Sequence, residues 1–91
     1  DAAGGRAQRD RYRLVGAGAR VVDRAPQRIA VAVGTEVDDG LIAELISVES
    51  ECCPFFELGW DPASRELAIS VRSTAEAPAL EAIAFALGLP S

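Results

Sequence analysis

The sequence predicts an α+β domain in which helices cover one face of a three-stranded sheet, mixed or antiparallel. Three observations carry that expectation. Apolar residues alternate over short stretches near 28–34, 55–61 and 66–73, which is the period of a strand. Between the first two lies a longer stretch, Asp39 to Cys53, whose apolar residues recur at helical spacing. A strand, a crossover helix, a hairpin and a last helix then follow one another, and short right-handed connections leave few ways to arrange them.

A first helix is expected over 3–15, with Ala3, Ala7 and Leu14 in one stripe and Arg6, Arg9 and Arg13 opposite. Gly16 and Gly18 break it, and Asp23 to Gln27, with Pro26, reads as a loop. In the first strand Ile29, Val31 and Val33 face one way and Ala30 and Ala32 the other. Thr35 to Asp39 supplies helix-start chemistry for the second helix. That helix carries Leu41, Leu45, Val48 and Cys52 in a stripe and is stopped by Pro54. Phe56, Leu58 and Trp60 align on the second strand, and Leu67, Ile69 and Val71 on the third, joined through Asp61-Pro62-Ala63-Ser64. Pro78 suits the first turn of a last helix lined by Leu80, Ile83, Ala84 and Leu87, with Gly88 just past its end. The order is αβαββα, in one domain spanning 1–91 with a βαββα unit over 28–88.

Composition narrows the function. Hydrophobic residues make up 49% of the 91-residue chain and charged residues 25%, a globular balance rather than that of a disordered segment. No uninterrupted apolar stretch reaches membrane-span length and the Asp1 to Gly5 start lacks signal-peptide order, so a soluble protein without a membrane partner is expected. A chain opening on Asp1 rather than Met is compatible with processing or with being part of something longer. The net charge of −5 is unevenly spread: residues 1–28 hold seven Arg against three acids, and residues 29–91 two Arg against eleven acids. Arginines of the first helix lying over an acidic surface of the same domain would explain the split. A nucleic-acid partner is not expected, because an acidic chain with few aromatics lacks a basic groove and stacking platforms. The absence of Lys removes Schiff-base chemistry, and the absence of His removes Ser-His-Asp and Cys-His arrangements and His-containing zinc sites. An enzyme of ordinary design is therefore disfavoured.

The chemically pointed feature is Glu49 with Cys52 and Cys53. Glu49 falls within the apolar arc of its helix, where an unpaired carboxylate is costly, so it needs either a cationic partner or a ligand. Arg11, inside the apolar arc of the first helix, is the candidate partner. Adjacent cysteines have Cα atoms about 3.8 Å apart, short of the roughly 4.4 to 6.8 Å of an unstrained disulfide, so two free thiols and a reducing, cytoplasmic compartment are expected. Cys52 is expected to be buried against the sheet, and packing alone is one account of the pair. The other is capture of a soft metal or metalloid ion such as Hg, Cu or As, with Cys52, Cys53 and Glu49 as ligands.

Gln8, Arg9, Tyr12 and Leu14, then Val48-Glu49-Ser50-Glu51-Cys52-Cys53-Pro54-Phe55-Phe56, then Leu67 to Val71, resemble a family of small bacterial proteins with an E-x-x-C-C-P-F motif. The family has no established activity, and some members sit near mercury-resistance genes, so the resemblance implies thiol–metal chemistry. Typical members begin with a cysteine-bearing strand that this chain lacks, which argues against three thiolates in one chain. Residues 28–88 also resemble the first five elements of a ferredoxin-like fold without its last strand, whose place residues upstream or a second copy would fill. The competing reading is a non-catalytic structural or interaction module, a homodimer built on the sheet edge and Phe85.

Overall fold

Alternation in the third expected strand, β4 (Glu66–Val71), buries Leu67, Ile69 and Val71 on one face. Its neighbour β2 (Arg28–Ala32) does the same with Ile29 and Val31, registered against Ile69 and Leu67. In the computed structural model, which describes residues 2–90 and side chains from residue 6 onward, these strands are the centre of a four-stranded sheet ordered β1-β2-β4-β3. β3 is Phe56–Asp61 and β1 is Arg20–Ala25. Every neighbouring pair is antiparallel, so β2 and β3 run parallel with β4 inserted between them.

β1 corrects the expectation of three strands and of a loop over Asp23 to Gln27. It pairs with β2 from Arg20 opposite Ala32 to Ala25 opposite Arg28, and fills the sheet position left open in the sequence. A register shift between Val21 and Asp23 leaves Val22 as an extra residue. That bulge breaks the alternation by which a strand is recognised, and the hairpin turn falls at Pro26 and Gln27.

Helices α2 (Asp39–Cys52) and α3 (Ala77–Ala86) cover the face of the sheet that carries Leu67, Ile69 and Val31. Helix α1 (Ala2–Gly16) packs across both of them. The inward line of α1 is Gln8, Arg11, Tyr12 and Val15, with Tyr12 and Val15 buried, whereas Ala7 and Leu14 are exposed. Ala7 and Leu14 of the expected Ala3-Ala7-Leu14 stripe are thus turned away, and the Ala3 side chain lies outside the described residues. In α2 the buried line is Ile42, Leu45 and Glu49; Leu41 and Val48 are half-buried and Cys52 is exposed. The helix is rotated from the expected stripe because two surfaces, β3 and α1, compete for its apolar arc. α2 starts at Asp38, whose carboxylate accepts from the Gly40 N–H at 3.0 Å.

The β3–β4 turn is anchored by Arg65, whose φ of 57° is the left-handed conformation that costs a non-glycine residue energy. Its guanidinium donates to the carbonyls of Gly34 at 3.0 Å and Val37 at 2.6 Å and to Asp39 at 2.9 Å, and lies 5.4 Å from the Trp60 ring centroid. These bonds tie the β2–α2 loop to the far hairpin and hold the strained turn in place. The uneven charge is used partly across elements, through Arg11–Glu44 at 2.9 Å and Arg24–Glu81 at 3.2 Å. Among the described residues no helix is long and apolar enough to cross a membrane.

Gly16 ends α1 against the α3 terminus, and a Cβ there would collide with the Leu87 backbone carbonyl. Gly16→Ala should therefore lower unfolding free energy by about 2 kcal/mol or more, read as a fall in the urea midpoint. Gly59→Ala is the control: nothing lies within 4 Å of a Cβ on Gly59, and the midpoint should hold or rise.

Candidate functional site

The last turn of α2 brings Glu49, Cys52 and Cys53 to one end of the helical layer. Cys53 caps the helix, with φ −134° and its N–H donating to the Glu49 carbonyl at 2.8 Å. Pro54 follows and favours that extended geometry. Both cysteines are free thiols, as expected. Cys52 is exposed and Cys53 half-buried, which corrects the expectation of a buried Cys52. The Cys53 thiol donates to Cys52 Sγ at 3.7 Å.

Glu49 is 7% exposed and, among the described residues, is the buried charged residue of the core. Its Oε1 accepts from the Tyr12 hydroxyl at 2.7 Å and from Gln8 Nε2 at 3.3 Å. Arg11, the expected partner, bonds elsewhere: it donates to Gln8 Oε1 at 2.9 Å and to Glu44 Oε1 at 2.9 Å. The physical reason is position. Tyr12 descends from the centre of the α1 inward line, whereas Arg11 sits at its margin, where its guanidinium keeps contact with water and avoids a desolvation cost. Gln8 joins the two halves, since its amide also donates to the Leu45 carbonyl at 3.0 Å. The signal in the sequence was the four-residue spacing of Gln8 and Tyr12, which places two hydrogen-bond donors on one face of α1.

A groove of about 1040 Å³ opens beside this network, between α1, α2 and α3. Its apolar wall is Val48, Ile83, Phe85 and Ala86; Tyr12, Glu49 and Cys52 also line it, as do Arg6, Arg9 and Arg13. Phe85 is 85% exposed. Among the described residues no three of His, Cys, Asp and Glu converge as a ready metal shell. Cys52, Cys53 and Glu49 therefore share the end of α2 without forming the three-ligand set expected from the sequence; the carboxylate is engaged between helices. Comparison with family models, curated proteins and solved structures finds no match for this chain.

Electrostatics around the Cys53 sulfur favour thiol over thiolate. The Cys53 pKa is pushed up to about 12, first by burial and then by the hydrogen bonds and charges of Cys52 and Glu49. The Tyr12 hydroxyl is also raised, first by burial and then by Glu49, so it stays a donor at any ordinary pH. Cys53 is not placed as an activated nucleophile.

Two outcomes follow. Tyr12→Phe leaves Glu49 short of its best donor and should cost about 1.5 to 3 kcal/mol in chemical denaturation. Because the folded pKa of Cys53 lies above the unfolded value of about 9, its proton favours the folded state below pH 9, and that contribution is lost as pH rises through about 12. In Cys52→Ser protein, ultraviolet thiolate absorbance of the folded chain should accordingly rise well above pH 9; a transition near a free thiol's would overturn the assignment.

Proposed function

We propose that this protein binds a soft metal or metalloid ion through Cys52 and Cys53. The observation that carries the reading is the separation of the sulfurs, 3.7 Å, with Cys52 open to solvent. With metal–sulfur bonds of about 2.3 Å, that separation subtends roughly 107° at a shared ion, close to a tetrahedral or pyramidal angle. Two sulfurs select soft ions over hard ones, and a small thiol or a second chain would complete the shell. A bound cation would also reverse the penalty that burial and Glu49 place on thiolate formation at Cys53. Glu49 acts in this reading by holding the end of α2 to α1 rather than as a ligand. A reducing, cytoplasmic setting is the one in which the pair would stay available.

The test is stoichiometric binding of Hg(II), Cu(I) or As(III) at neutral pH, followed by native mass. One ion per chain is expected for the wild type, with loss of about 10-fold or more in affinity in both Cys52→Ser and Cys53→Ser. Undiminished binding in both variants would overturn the proposal. A second reading, a homodimeric interaction module, is favoured by the single observation that Phe85 is 85% exposed on α3. It requires a sedimentation mass of two chains at micromolar concentration that returns to one in Phe85→Ala.

A further inference from the structure

Resting on the soft-ion reading, we infer that the class of ligand is a trivalent organoarsenical with an aromatic substituent, its arsenic taken by Cys52 and Cys53 and its ring by the groove beside them. Cys52 lines the same groove as Val48, Ile83, Phe85 and Ala86, so an apolar group attached directly to the captured atom has a wall to lie against. Phe85 supplies an exposed aromatic face at that wall. The groove, about 1040 Å³, holds a phenyl ring with room for its approach. Arg6, Arg9 and Arg13 line it too, and of these Arg13 is paired with Asp10 at 3.2 Å. Asp10 and Glu49 line the groove as well, so its charges are mixed, and an uncharged arsonous acid enters it without either attraction or repulsion to overcome.

The chemistry suits two sulfurs 3.7 Å apart. An arylarsonous acid carries one As–C bond and two As–OH bonds. Each thiol displaces one hydroxyl: an S–H and an As–OH bond break, an As–S bond forms, and the thiol proton leaves with the hydroxyl as water. Two waters are released in all, the As–C bond stays intact, arsenic stays trivalent, and no oxidant or reductant is needed. The product holds arsenic on both sulfurs with the ring projecting from it.

The experiment partitions phenylarsonous acid and methylarsonous acid between the intact chain and a free small dithiol at neutral pH, read by native mass. Normalising to the dithiol removes the intrinsic reactivity of each arsenical. The wild type should retain the phenyl compound about 10-fold more strongly than the methyl compound, the effect of covering one ring. Ala82→Trp, which fills the groove from an exposed position on α3, should abolish that preference while leaving methylarsonous acid bound. Phe85→Ala, also exposed, should reduce it. Equal retention of the two compounds by the wild type, or a preference unchanged in both variants, would overturn the assignment of the groove and leave the soft-ion reading standing. Retention of neither compound would overturn the arsenical assignment, while titration of the same protein with Hg(II) and Cu(I) decides the soft-ion reading separately.

Discussion

One buried carboxylate organises the helical layer. Removing a charge from water costs several kcal/mol, and a lone Glu49 between α1 and α2 would not be tolerated. What offsets the cost is a pair of donors from α1, the Tyr12 hydroxyl and the Gln8 amide, the first at 2.7 Å. Hydrogen bonds to a charged group contribute about 1.5 to 3 kcal/mol each, more than neutral ones, and they are directional in a way that apolar contact is not. The register of α1 on α2 therefore follows from Glu49, as does the outward position of Arg11. The carboxylate also adds to the effect of burial in raising the Cys53 pKa, so the group that docks a helix bears on the state of that sulfur.

The groove is a by-product of this docking. α1 meets both α2 and α3, but its inward line of Tyr12 and Val15 is narrow, and Leu14 and Phe85 stay outside it. Val48, Cys52 and Ile83 are then left along an opening that α1 does not close. Had the Leu41-Leu45-Val48-Cys52 stripe been the buried one, Cys52 would be sealed against the sheet and the pair would be packing alone.

The βαββα unit was legible because its signals are local and redundant. Alternation at Ile29, Val31, Leu67, Ile69 and Val71, a stop at Pro54 and the N1/N2 proline of α3 each reappear where the sequence put them. β1 was not legible, since the extra residue Val22 destroys its alternation and its partner is known only once the sheet exists. The need for a partner at Glu49 was legible, but its identity was not. Charge suggests an arginine, while the choice between Arg11 and Tyr12 depends on helix rotation, which apolar periodicity fixes only to within a residue. Likewise, adjacency in the chain suggested two free thiols, whereas the exposure of Cys52 depends on which flank of α2 the neighbouring helix covers.

The kink at Val22 bears on how this protein behaves at high concentration. A sheet with β2 at its margin would end in a straight row of unpaired amides beside Ile29, Ala30 and Val31, a ready template for recruiting further chains. β1 covers that row and itself makes a poor template. Its bulge interrupts the outward hydrogen-bonding groups midway, and Arg20, Asp23 and Arg24 place charge along a strand of six residues. Arg24 is further tied to Glu81 and to the Pro90 carbonyl, which holds the strand against the helical side. The irregularity that hides β1 from sequence reading is thus also a guard against edge-to-edge aggregation.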